Sequence, residues 1–125
     1  MHSLVALMLG AMLGATLRYY AGMWATVVLG STFPYGTLLV NGAGSFVLGL
    51  FYGYLALRPE LHPAWRMLIA VGFCGSLTTF STYSFETLAL IERGQLLSAA
   101  LYALGSMALG LLMVWLGVLV GRAVA

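Results

Sequence analysis

The sequence predicts an all-α integral membrane protein, a single domain over 1–125 with four transmembrane helices per subunit, the third broken at mid-membrane. Three observations carry this. First, 62% of the 125 residues are hydrophobic and only 6% charged, with a mean hydropathy of +1.04; soluble domains carry about 25% charged residues. Second, four apolar segments, at about 4–28, 35–57, 65–91 and 96–120, are separated by short turns. Each reaches the length of about 20 residues that crosses a bilayer. Third, the centre of the third segment reads Gly72-Phe73-Cys74-Gly75-Ser76-Leu77-Thr78-Thr79-Phe80-Ser81-Thr82-Tyr83-Ser84-Phe85-Glu86.

Other classes find little support. The single Cys74 excludes an intrachain disulfide and a cysteine metal cluster; it reads as a small apolar filler beside Gly75. Five basic and three acidic residues are too few for a nucleic-acid surface. The N-terminus lacks a basic n-region and a small-residue cleavage site, so the first segment is expected to be retained. No nucleophile–base pair or metal-ligand cluster stands out, so no enzyme is expected.

In the first segment, Ala6, Gly10 and Gly14 form a row of small residues on one face, which lets helices approach closely. Arg18 lies toward the far end. It either snorkels to the interface with Tyr19 and Tyr20 or serves inside the assembly. The second segment places Thr37, Asn41 and Ser45 at i, i+4 spacing, a polar stripe on an apolar helix. A carboxamide there needs partners; the stripe is either interhelical glue or a functional lining. Ser45, Gly49 and Gly53 add a packing row. The loop Arg58-Pro59-Glu60-Leu61-His62-Pro63 is a polar surface turn.

The third segment departs from a plain span. Its glycines each cost about 1 kcal/mol relative to alanine in a helix interior, and its six Ser and Thr between positions 76 and 84 compete for backbone hydrogen bonds. In hydrocarbon a broken backbone survives only where protein, water or an ion satisfies it. A break with carbonyls turned to one point suits a cation; the alternative is a small-residue face for packing. Past the break, Thr79, Tyr83 and Glu86 share a face, with Phe80 and Ser84 alongside. Glu86 reads either as an intramembrane carboxylate or as an interfacial group near Glu92 and Arg93. In the fourth segment Tyr102 and Ser106 share a face, and Gly110, Gly117 and Gly121 offer close-packing positions. Tyr102 is either an aromatic-belt residue or an interior one.

Four spans put both termini and the second loop on one side, with Arg58, Arg66 and Arg122. The other side has Arg93, plus Arg18 if it snorkels. Three against two does not fix an orientation. A chain that inserts both ways can pair with itself about a twofold axis in the membrane plane. Four helices leave little room for an enclosed pathway, so a dimer is expected.

Gly10-x3-Gly14-Ala15-x2-Arg18-Tyr19, Gly36-Thr37-Leu38-x-Val40-Asn41-x2-Gly44-Ser45-Phe46 and the run from Gly72 to Thr82 resemble the three helix patterns of the Fluc family of fluoride channels. The resemblance implies an antiparallel, dual-topology homodimer in the cell (inner) membrane, in contact with the lipid bilayer, with two fluoride pathways. It also implies a structural Na⁺ at the dimer centre, held by the backbone carbonyls of Gly75 and Thr78. Asn41 would line the pathway as a donor, with Phe80 and position 83 as the family's paired aromatics. The family usually has Phe at the latter; Tyr83 keeps the ring edge and adds a hydroxyl. Thr37, Thr79, Ser81, Tyr102 and Ser106 would be further polar pathway residues, and Glu86 would lie near one mouth. The implied activity is passive fluoride efflux that lowers cytoplasmic fluoride. The chemistry is consistent: a pore must replace the ion's hydration with donors that still release it, and ring edges carry partial positive charge. The competing reading is a small proton-coupled multidrug exporter of the four-helix dual-topology type, which needs a membrane-embedded acid; here Glu86 is the only candidate.

Overall fold

The computed structural model describes residues 2–125, all helical apart from short turns. Helix α1 is His2–Leu29 and α2 is Tyr35–Leu57. The next helix, α3, has three consecutive pieces: Pro63–Trp65, a π-helical stretch Arg66–Cys74, and Gly75–Leu77. Helix α4 is Phe80–Glu92 and α5 is Leu96–Val124, running past Arg122. Helices α1, α2 and α5 and the combined stretch Pro63–Glu92 make four spans long and apolar enough to cross a membrane. The 28 residues of α1 extend about 42 Å at 1.5 Å per residue, more than the hydrocarbon thickness of about 30 Å.

The turns follow from their residues. Gly30 and Gly94 take positive φ, 84° and 74°, just past the ends of α1 and α4, the left-handed conformation that glycine adopts without strain. After α4 the chain reverses through Gly94 N–H to Ile91 O and Gln95 N–H to Leu90 O, both 2.9 Å. At the start of α3, Pro63 occupies the first turn and His62 Nδ1 accepts from Ala64 N–H at 3.1 Å, which caps the helix. Arg58 donates from Nε and Nη2 to Ala125 O at 3.1 and 2.9 Å, tying the second loop to the end of α5.

The spans pack as two close pairs, each built on glycine. A methyl at Gly10 or Gly14 would strike the Leu68 or Phe73 carbonyl oxygen, and one at Gly72 would strike Leu7 O; α1 and α3 therefore touch backbone to backbone. Between α2 and α5 the arrangement is reciprocal. Gly49 and Gly53 meet the Val114 and Val118 carbonyls, and Gly117 and Gly121 meet those of Phe46 and Leu50. Residue numbers rise together on both members of each pair, so the paired helices run parallel. Such contacts gain van der Waals attraction where lipid offers no hydrophobic drive. Gly110 does not join the row: a methyl there would meet only Ser45 Oγ at 3.7 Å, an ordinary van der Waals contact. The interior is small, with Ala25, Val40, Phe51, Ala70, Cys74, Leu77, Leu90, Ala99 and Tyr102 buried. Most large apolar side chains of α1 and α5 face outward, as a lipid-facing surface requires.

Between α3 and α4 the backbone leaves the helix. Thr78 has φ −84° and ψ 155°, Thr79 φ −149° and ψ 121°, and the helix resumes at Phe80. Gly75 itself stays helical at φ −63°, ψ −31°. The extended residues are two β-branched threonines, the type most at home in that conformation, rather than the glycines.

Candidate functional site

An extended Thr78-Thr79 pair leaves peptide groups without helical partners, and the contacts around it follow from that need. In a continuing α-helix Thr79 N–H would close on the Gly75 carbonyl. Instead it donates to Asn41 Oδ1 at 2.8 Å, while Asn41 Nδ2 donates to Thr79 O at 3.2 Å. The α2 carboxamide thus stands in for a strand partner, satisfying both peptide groups of one residue. It keeps one Nδ2–H free. Thr79 Oγ1 accepts from Thr82 N–H at 3.2 Å, capping α4. Thr78 folds back, its N–H and Oγ1 both donating to Cys74 O at 3.0 and 2.8 Å.

Two open grooves approach this point. One, of about 760 Å³, is lined by Arg18, Thr26, Thr37, Thr79, Glu86 and Arg93 among others. The second, of about 410 Å³, is lined by Asn41, Ser45, Thr78, Thr79, Phe80, Tyr83 and Ser106, with Gly75 at its wall. Thr79 borders both. The first carries two cations and a carboxylate; the second is lined by neutral groups. Thr37 Oγ1 donates to Glu86 Oε1, joining α2 to α4 a second time.

A file of rings runs beside the grooves. Phe80 and Tyr83 have centroids 5.8 Å apart, Tyr83 and Tyr102 5.3 Å, and Tyr102 and Phe33 5.5 Å in an edge-on arrangement. Aromatic pairs at these separations attract beyond simple burial. Tyr83 Oη donates to the Ala103 carbonyl at 2.9 Å. On the same face of α5, Tyr102 Oη and Ser106 Oγ are buried with no hydrogen-bond partner among the described residues. Orphaned hydroxyls are uncommon in buried sites; Ser106 borders the second groove, whereas Tyr102 lines neither.

The sequence-predicted residues therefore divide. Asn41, Thr78, Thr79, Phe80, Tyr83, Ser106 and Gly75 gather at the second groove, and Thr37 and Glu86 at the first. Tyr102 is 1% exposed, so it is an interior residue and not a belt residue. Ser81 lines neither groove and lies on the exposed side of α4. Thr37 and Asn41 share a helix face yet serve different grooves, because Asn41 pairs with Thr79 in the break and Thr37 with Glu86 about two turns further along α4. Sequence reasoning missed Thr26 and Arg93 in the first groove, and the Ala103 carbonyl. A backbone acceptor has no sequence signal, whereas Arg93 was visible as a charge at a span end.

Comparison with known proteins fits this arrangement. The family profile described as "CrcB-like protein, Camphor Resistance (CrcB)" matches residues 5–118. A protein of Acidobacterium capsulatum named "Fluoride-specific ion channel FluC" is 48% identical, covering 91% of each chain. Relatives of the same name from Trichormus variabilis and Roseiflexus sp. strain RS-1 are 44% and 43% identical, covering 94% and 96% of this chain and 87% and 97% of their own. A profile match through all four spans and relatives aligned nearly end to end establish that the chain belongs to the CrcB family.

Proposed function

We propose that the chain is a fluoride-selective ion channel that lets fluoride leave the cytoplasm passively. The single observation that carries this reading is the neutral groove beside the Thr78–Thr79 interruption, lined by one amide, several hydroxyls and ring edges. The names of the relatives point the same way. Fluoride is a small, strongly hydrated acceptor, and neutral donors replace its water without trapping it. The free Nδ2–H of Asn41 and the unpartnered Ser106 hydroxyl, both at this groove, are such donors. The positive end of the α4 dipole points to the same region. Thr37, Glu86 and Arg18 then flank a wider entry in the first groove.

The finer parts of the proposal are an antiparallel, dual-topology homodimer in the inner membrane, with the third span interrupted at mid-membrane and a structural Na⁺ at the dimer centre. Polar lining open to hydrocarbon is costly; a second copy laid over the second groove removes that cost, and an arginine balance of three against two does not fix one orientation. The Gly75 carbonyl, which loses its helical donor to Asn41, fits a hard cation. The extended Thr78 offers a second carbonyl outside any helix. Bound there, Na⁺ would supply a fixed positive potential beside the groove; Gly75 and Thr78 of each subunit would hold it.

Purified protein in liposomes loaded with fluoride tests the reading. A fluoride electrode should record rapid efflux once valinomycin clamps the potential, with no matching loss of chloride from chloride-loaded vesicles. Equal release of both anions, or of neither, rejects the proposal.

A further inference from the structure

Helix α4 is poorly held by packing. Leu90, near its end, is its only buried residue, while Phe80, Phe85, Leu88 and Ile91 are exposed in the chain. Apart from the Tyr83 ring against Tyr102, polar contacts hold the rest: Thr79 with Asn41 just before the helix, Glu86 with Thr37 in the middle, and Tyr83 Oη with the Ala103 carbonyl near the start. Of these, the Tyr83 contact alone reaches α5. Ala103 is a main-chain acceptor of α5 that lines neither groove, so the Tyr83 hydroxyl is spent on the α5 backbone. Phe80 stands one turn earlier, 5.8 Å from the Tyr83 ring.

We infer that Tyr83 is a positioning residue whose hydroxyl, spent on the Ala103 carbonyl, anchors the first turn of α4 to α5 and so fixes the Phe80 and Tyr83 rings at the groove. The hydroxyl is not offered to the ion; the ring is. This role rests on the channel reading for its effect on flux, but not for its effect on α4. Tyr83→Phe keeps the ring and removes the anchor. Loss of one neutral hydrogen bond should shift local opening by about two- to tenfold.

The experiment pairs hydrogen exchange of the α4 amides with fluoride efflux, on full-length wild type, Tyr83→Phe and a variant with 4-aminophenylalanine at position 83. The amino group returns a donor at the same ring position. The inference expects exchange across the first two turns of α4 to quicken by about two- to tenfold in Tyr83→Phe. Maximal flux should fall, and both should return toward wild type with the amino ring. Unchanged exchange, unchanged flux, or a fall in flux that the amino ring does not reverse would each overturn it. A wild type that passes no fluoride overturns the channel reading instead; the exchange measurement then decides by itself whether the anchor exists.

Discussion

Replacing Asn41 with alanine should destabilise the protein through one residue's peptide groups. The side chain makes two bonds to Thr79, at 2.8 and 3.2 Å. Alanine removes both and leaves an N–H and a C=O unpaired. Each orphaned group costs about 1–3 kcal/mol when dry, hence about 2–6 kcal/mol together. Both grooves are open at this point, so water recovers part of the loss and the lower end, about 2 kcal/mol, is expected. For a chain of this size that corresponds to about 6–12 °C in the thermal midpoint. Asn41→Asp separates stability from conduction. It retains an acceptor for Thr79 N–H but sets a second oxygen against Thr79 O, and it places an anion in the proposed path. Tryptophan fluorescence of detergent-solubilised protein during heating gives the midpoints, and fluoride efflux gives the flux. An Asn41→Ala protein that melts with wild type would refute the claim that this amide holds the interruption together.

Gly117→Ala should lower the midpoint sharply, because its methyl would meet the Phe46 carbonyl oxygen, and backbone cannot yield as a side chain can; overpacking of this kind costs about 1–3 kcal/mol, and thermal melts check it. Thr37→Val removes the donor on which Glu86 relies, and a hydrogen bond of this kind is worth about 0.5–1.5 kcal/mol net; reduced stability together with altered flux is the expected outcome. Exchanging Na⁺ for a larger monovalent cation throughout purification should weaken the dimer or its conductance, read by size-exclusion elution and efflux.

The fold was largely written in hydropathy and small-residue spacing. Long apolar runs define four spans because a bilayer leaves the backbone no other partner, and the Gly10/Gly14 and Gly49/Gly53 rows mark the faces that touch. Spacing does not name the partner, however. That Gly49 meets Val114 while Gly10 meets Leu68 is decided by the pairing of whole helices. The π-helical stretch Arg66–Cys74 left no mark either, since its composition is that of any apolar helix. At the site, residue types were legible and connections were not. Asn41 stands out as an amide in an apolar span, yet its bond to Thr79 crosses 38 residues, and Thr37 to Glu86 crosses 49. The hydroxyl of Tyr83 was visible; its acceptor, a main-chain oxygen, was not. Tyr102 sat on the border between belt and interior by position alone, and only the ring file through Phe33 and Tyr83 draws it inside.

The central claim is selective passage of one halide along a route of neutral donors. A planar bilayer containing the protein, with a tenfold fluoride gradient and equal chloride on both sides, reads it directly. Selective fluoride passage gives a current that reverses near the fluoride equilibrium potential, about 59 mV from zero, and that does not move when a chloride gradient is added. Reversal at zero, or reversal that follows chloride, contradicts it.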